Sequence, residues 1–328
     1  MHRPLTSVII PTYNYAHYID EAINSVFNQS YPKELIEVIV VDDGSTDDTQ
    51  MVLQKWIASG ELKYFYQQNQ GKAAATALAI QQSSGKYIFN LDADDFFFKD
   101  KIDKTVSIFE SNEEIVHVAS AAQVFNNDAR MLGDIEKLPE IIVGKELEGR
   151  WLLDYFYDNN ILYGGGTTYA ARASVLKRIE VPAAVDMYID EFLILAILPF
   201  GKSFFISTAL STWRVHSSNY SGKTADAEVK KNKNERLLRS SSAVLNYLIK
   251  NGFDQKIIDI YCIKDAIRIL AFKESINQKS IKDIWLFARL IFIKMQPGIN
   301  LIRKYQILNR LIPATLFKMM KRLLNRNQ

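Results

Sequence analysis

Asp92-Ala93-Asp94-Asp95 puts three carboxylates into four residues at the end of the apolar run Lys86–Leu91. Like charges this close repel one another unless a cation or hydrogen bonds compensate them. A hard divalent ion suits such oxygen ligands and could bridge one or two of them to a diphosphate; the competing reading is a solvated acidic turn that leads into the next helix. Asp42-Asp43-Gly44 is a second acidic turn, after the apolar run Glu37–Val41. A carboxylate there either accepts from a nucleobase imide N–H or serves as a turn and helix cap. His216 lies in Trp213-Arg214-Val215-His216-Ser217-Ser218-Asn219-Tyr220-Ser221, where Arg214 and several hydroxyls suit a phosphate-binding loop. Asp190-Glu191 opens the apolar stretch Phe192–Leu198, placing either favourable charge at a helix start or a rigidly held general base.

Other chemistries fail on spacing. A calcium loop needs Gly at its sixth position, where Phe97 stands. A P-loop needs Gly five residues before its Gly-Lys pair, but Ala196 stands there for Gly201-Lys202, Ser217 for Gly222-Lys223 and Tyr66 for Gly71-Lys72. No Gly-x-Gly-x-x-Gly, His-Glu-x-x-His or Cys-x-x-Cys occurs, which argues against a dinucleotide fingerprint and against zinc. An aspartyl-phosphate enzyme would carry its acidic motif after the first strand, not the fourth. That phosphoryl transferase and a non-catalytic nucleotide-sugar or glycan-binding module are the rival readings.

The elements that must position these residues follow from the apolar pattern. Strands are expected at Leu5–Ile10, Glu37–Val41, Leu62–Tyr66 and Lys86–Leu91. Helices are expected at about Tyr18–Phe27, from a Ser45 or Thr46 cap to about Ala58, and at Lys72–Gln82. Strand–helix alternation predicts a parallel sheet wrapped by helices, with ligands in the crevice at the strands' carboxyl edge. Asp42, Asp43 and Asp92 should converge there. Beyond Asp100 the pattern is mixed, with a Gly164-Gly165-Gly166 cluster, a helix near Asp190–Leu198 and a strand near Ser203–Ile206. From Thr224 onward it is helical and strandless.

The chain has 328 residues, 48% hydrophobic and 23% charged, the composition of an ordered globular protein. One cysteine, Cys262, excludes an intramolecular disulfide. Neither a signal-peptide pattern nor an apolar run of membrane-spanning length is present, so the expectation is a cytoplasmic protein. The net charge of +3 is uneven: residues 281–328 hold ten Lys or Arg and one acid, leaving −6 on the first 280. Basic and apolar residues interleave in 281–328, which fits an anionic membrane surface on the inner face; packing on the rest of the protein is the alternative. No nucleic-acid partner is expected.

Val8-Ile9-Ile10-Pro11-Thr12-Tyr13-Asn14, Val40-Val41-Asp42-Asp43-Gly44-Ser45-Thr46-Asp47, Asn69-x-Gly71 and Leu91-Asp92-Ala93-Asp94-Asp95, in that order, resemble the family 2 glycosyltransferases of GT-A fold. Gly164–Thr167, the acidic pair and Arg214-x-His216 extend the likeness to about residue 221. The resemblance implies an α/β fold, a Rossmann-like, mostly parallel sheet flanked by helices, over residues 1–221. A C-terminal α-helical extension would occupy 222–328. It implies inverting transfer from a nucleotide diphosphate-sugar, usually a UDP-sugar, to a glycan or lipid-linked acceptor in surface polysaccharide synthesis. Pro11, Tyr13, Asp42, Asp43, Gly71, Lys72, Asp92, Ala93 and Arg214 would meet the donor, with Asp92 at the ribose. Asp94 and His216 would hold Mn²⁺ or Mg²⁺. Glu191 or Asp190 would be the base, Glu191 being preferred by its register to the downstream helix and Gly201. Two departures stand out: Thr76-Ala77 occupy the place of the family's frequent Arg-Asn, and the acidic pair runs Asp-Glu rather than Glu-Asp.

Overall fold

Thr6–Thr12 (β1) is buried along all seven residues. It reads as a continuous apolar run because it is covered on both faces, as parallel strands between helices are. Ile36–Asp42 (β2) and Tyr87–Asn90 (β4) flank it, both parallel, and Lys63–Tyr66 (β3) lies outside β2, also parallel. The connecting helices are Ile19–Phe27 (α1), Thr49–Ser59 (α2) and Lys72–Gln82 (α3). One face of the core joins Val8 and Ile10 of β1, Val38 and Val40 of β2 and Phe89 of β4 to Ile19, Ile23 and Val26 of α1. The computed structural model describes residues 3–159, 161–216 and 226–294.

The order of the sheet is β3-β2-β1-β4-β8-β5-β9-β7, with β6 pairing β5. After α4 (Lys101–Ser111) come β5 (Ile115–Asn126), β6 (Met131–Ile135), β7 (Glu146–Glu148), α5 (Gly149–Asn159), β8 (Tyr169–Arg172), α6 (Ala173–Leu176), α7 (Ile189–Ile197) and β9 (Lys202–Val215). Strands β1–β5 and β9 run one way, and β6, β7 and β8 run the other. The expected α/β sheet is therefore present, with an antiparallel insertion at its centre. That insertion matters: β8 starts on the edge where β4 and β5 end. The Gly164–Thr167 segment in front of β8 is thereby delivered to the carboxyl edge, beside Asp92.

Two elements differ from the sequence reading. The strand expected near Ser203–Ile206 is fourteen residues long and includes Trp213 and Arg214. Helix α2 begins at Thr49, and neither Ser45 nor Thr46 caps it. Ser45 Oγ instead accepts from Asn14 N at 2.9 Å, and Thr46 N donates to Asn14 Oδ1 at 2.7 Å. Asp47 takes the capping work, accepting from Thr49 N at 3.0 Å.

The described residues fall into two compact units, 3–153 with 162–216, and 154–159 and 161 with 226–294. The boundary expected at residue 221 lies outside the described residues. In the second unit, Asp226 caps α8 (Ala227–Lys250) by accepting from Glu228 N and Val229 N, and Asp254 caps α9 (Gln255–Ser275). Phe287 of α10 (Ile281–Lys294) packs on Ile263 and Leu270 of α9. Ile281, Trp285 and Leu286 of α10 are exposed. No described helix is long and apolar enough to cross a membrane. Residues 295–328, most of the basic tail, lie outside the described residues.

Candidate active site

Asp92, Asp94 and Asp95 each offer a carboxylate oxygen, and these atoms lie within 4.8 Å of one another. The turn that carries them is stitched to β9: Phe96 N donates to Thr212 Oγ1 at 3.0 Å, Thr212 N to Phe96 O at 3.0 Å, and Phe98 N to Leu210 O at 2.9 Å. Asp95 is buried and spends both oxygens on the protein. Oδ2 accepts from the Thr167 hydroxyl at 2.6 Å and Oδ1 from Arg214 N at 2.7 Å. Burial first, then the charges of Asp94 and Asp92, push its carboxyl well above the ordinary range. It is a structural member of the cluster.

That leaves Asp92 and Asp94 facing the edge. Asp92 Oδ1 pairs with Lys72 Nζ at 2.8 Å, and Asp92 N donates to Thr167 Oγ1 at 3.1 Å. Asp94 Oδ2 lies 3.1 Å from His216 Nε2. The His216 side chain is 2% exposed, and the Tyr18 ring lies over it with centroids 4.8 Å apart. Tyr15 meets the same imidazole edge-on, and burial followed by Asp94 and Asp92 raises its phenol pKa. The Asp94 carboxylate oxygen and the His216 imidazole nitrogen thus stand side by side, beneath aromatic rings, as an oxygen and a nitrogen donor for a divalent ion.

Lys72, the first residue of α3, joins this cluster to the acidic pair, its Nζ lying 3.5 Å from Asp190 Oδ2. Burial disfavours the ammonium, but Asp190 and Asp92 outweigh it, so the Lys72 pKa is raised. Burial pushes the Asp190 carboxyl up, partly offset by Lys72 and by the nearby Gly166 backbone N–H. The structure thus brings Asp190, rather than the preferred Glu191, to Lys72 and Asp92. Glu191 is half-buried one residue further along α7. Bare backbone lies between the two acids: a Cβ on Gly165 would sit 3.1 Å from Asp190 Cβ, and one on Gly166 would sit 3.5 Å from Asp92 Oδ2.

The other donor-side residues group at the ends of β1 and β2. Asp42 is buried, accepting from Ser45 N at 2.8 Å and from the Tyr64 hydroxyl at 3.0 Å. Asp43 is buried and holds the start of α3: Oδ1 accepts from Gln67 Nε2 and Gln70 N, and Oδ2 from Gly71 N at 2.8 Å. Gly71 has φ +94°, and a Cβ there would lie 2.7 Å from Asp186 Oδ1. Tyr13 is 44% exposed at the end of β1, whereas Pro11 is buried inside the strand opposite Val41. Ala93 is likewise core, so these two offer a ligand only backbone.

Arg214 requires a correction. It sits on β9, not on a loop, and is 3% exposed. Its guanidinium donates to Asp94 O, to Asn127 Oδ1 and to Glu21 Oε2. A planar cation with those partners fixes the Asp94 turn from behind. The rest of the expected loop, residues 217–221, lies outside the described residues.

Two participants went unread in the sequence. Thr12 Oγ1 is buried at the end of β1 without a hydrogen-bond partner among the described residues. Thr167 ties Asp92 to Asp95. Its position beside the glycines was the available signal, but only the antiparallel entry of β8 gives it meaning.

Comparison with known proteins identifies the family and the fold. A model of glycosyl transferase family 2 matches residues 7–179, and the chain belongs to that family. A glycosyltransferase of Rickettsia felis is 41% identical over 115 residues, 35% of this chain and 19% of its own length. The chain thus matches about a fifth of that relative. A glycosyltransferase of Nostoc is 25% identical over 299 residues, 87% of each chain. Among solved structures, S. aureus TarS 1–349 in complex with UDP-GlcNAc has a TM-score of 0.56 at 17% identity, over 94% of this chain and 89% of that one. The mannosyltransferase PcManGT of Pyrobaculum calidifontis, in complex with GDP-Man and Mn²⁺, gives 0.53 at 18%, over 96% and 87%. Likeness at these identities establishes the fold.

Proposed function

We propose that this chain transfers a sugar from a nucleoside diphosphate-sugar, of the UDP class, to an acceptor hydroxyl with inversion at the anomeric carbon. The observation that carries the reading is the meeting of Asp94 and His216 with Lys72, Asp92 and Asp190 on one sheet edge, where the family motifs also end.

Asp190 takes the acceptor proton as the acceptor oxygen attacks the anomeric carbon. The bond from that carbon to the diphosphate breaks, and the electron pair leaves with the diphosphate. Lys72 pairs with both Asp92 and Asp190 and so holds the two carboxylates in register beside the Gly165–Gly166 backbone. Asp94 and His216 would hold Mn²⁺ or Mg²⁺, which when bound neutralises charge on the departing diphosphate. TarS bound to UDP-GlcNAc and PcManGT bound to GDP-Man and Mn²⁺ support a nucleotide-sugar donor and a divalent ion. The acceptor belongs to surface glycan or polysaccharide synthesis, as a glycan or a lipid-linked precursor. Residues 281–328 would then rest on the inner face of an anionic membrane.

Calorimetry with UDP and Mn²⁺ tests the donor half. Wild type should bind UDP in a chelator-sensitive way. Asp94→Ala should lose that dependence and turnover, and His216→Ala should lose less, since water replaces one ligand. UDP affinity indifferent to chelator in the wild type would overturn the metal assignment.

A further inference from the structure

Lys101 is wholly buried at the start of α4, a costly place for an ammonium. Its Nζ donates to Ser120 Oγ on β5 at 3.0 Å and to the Thr168 carbonyl. His117, three residues before Ser120, is equally buried. Its Nδ1 lies 2.7 Å from Ser203 Oγ and its Nε2 2.9 Å from the Gly164 carbonyl. A carbonyl can only accept, so the network assigns the ring proton to Nε2, and Nδ1 accepts from the Ser203 hydroxyl.

These two bases grip the two ends of one turn, Gly164 and Thr168. Between those ends lie every described contact that joins the turn to the acidic residues. Gly165 packs against Asp190, where an added Cβ would lie 3.1 Å from Asp190 Cβ, and the nearby Gly166 N–H favours the charged form of that carboxyl. Thr167 Oγ1 donates to Asp95 and accepts from Asp92 N. The turn closes on itself through Thr168 Oγ1, which donates to Gly165 O at 2.6 Å. Gly164 and Gly166 both have positive φ, and glycines contribute no side-chain packing of their own.

We propose that Lys101 and His117 are positioning residues for the transfer reaction, fixing the Gly164–Thr168 turn and through it Asp92, Asp95 and Asp190. Neither touches substrate. A leucine or methionine would fill either site more cheaply, so retention of two polar bases is explained by the carbonyls they hold. Burial alone brings the Lys101 ammonium down to about 7, and burial, opposed by the Gly164 bond and aided by the Lys101 charge, holds the His117 imidazolium down at about 4. His117 is therefore the neutral donor that the tautomer requires.

The inference rests on the transfer reading, and its test separates the two. Full-length wild type, Lys101→Met, His117→Leu and His117→Gln are compared by UDP–Mn²⁺ calorimetry and by thermal melting from pH 6 to 10. Lys101→Met should melt at or above wild type at neutral pH, because a buried charge is gone. Its UDP–Mn²⁺ affinity or its turnover of UDP-sugar should nevertheless fall roughly 10- to 100-fold, the usual cost of losing an outer support. His117→Leu should do likewise, with recovery in His117→Gln, whose amide N–H reaches the same carbonyl. The melt supplies the readout of the buried lysine itself. Between about pH 7 and 10.5 the native state holds fewer protons at Lys101 than the unfolded chain, so stability gains with pH in wild type relative to Lys101→Met. If Lys101→Met fails to fold, the His117 pair decides. Variants that bind and turn over within twofold of wild type would overturn the proposal, whereas a wild type that binds no UDP at all would overturn the donor reading and this inference with it.

Discussion

Successive residues on a helix point about 100° apart, so Asp190 and Glu191 cannot both face Lys72 and Asp92. The structure gives that place to Asp190. Sequence register alone had favoured Glu191, because the family's usual Glu-Asp order is reversed here and the start of α7 is defined only by packing. Asp190→Asn should therefore keep UDP affinity while transfer falls roughly 10²-fold or more, with Glu191→Gln much closer to wild type. Paired measurements of UDP binding and single-turnover transfer check this, and the opposite ranking would return the base to Glu191. A proton acceptor with a raised pKa also implies an acidic limb in the rate profile that lies above the ordinary Asp range and vanishes in Asp190→Asn. At this scale the acidic motifs were legible because carboxylates cluster only at a cost. Which bonds each of them makes within the protein was not: Asp42, Asp43 and Asp95 all accept from backbone N–H groups that only the folded chain brings to them.

Among the elements, β1 to β4 were readable because each strand is a short apolar run followed by its own helix, and local order dictates parallel pairing. The helix at Lys72–Gln82 was placed to the residue. Past Asp100 that logic stops. Strands β5, β8 and β9 are neighbours in space but separated by up to 90 residues, and nothing local says that β8 runs backwards. The antiparallel entry is what sets Thr167 between Asp92 and Asp95. Thr167→Val keeps the shape and removes the hydroxyl, leaving the buried Asp95 oxygen and the Asp92 N–H without their partner. Denaturant unfolding should show a loss of about 1–3 kcal/mol, accompanied by weaker UDP–Mn²⁺ binding. Serine at the same position should restore much of both. A valine variant as stable and as tight-binding as wild type would mean that the turn is held by its glycine backbone alone.

For the molecule as a whole, charge is the property least explained by the catalytic fold. The first 280 residues carry −6 and the last 48 carry +9. Core packing accounts for Phe287, which is 3% exposed, but not for Trp285 at 61% or Leu286 at 48% on the same helix. Arg289 lies over the Trp285 ring, 5.9 Å from its centroid, pairing a cation with an aromatic of the kind that settles at a lipid interface. The only acid of the segment, Asp283, is already paired to Lys273 and Ser280, so it does not cancel the basic surface. Anionic lipid contributes about 1 kcal/mol per nearby Lys or Arg, so a few engaged side chains suffice for reversible attachment. Vesicle flotation tests this with the full chain, comparing anionic with purely zwitterionic vesicles at low and high salt. Co-flotation only with anionic vesicles, released by salt and reduced in Trp285→Ser/Arg289→Ser, is the expected result. A full chain that stays at the bottom of the gradient with both lipids would assign the basic segment to packing or to another anionic partner, and the acceptor would then be sought away from the membrane.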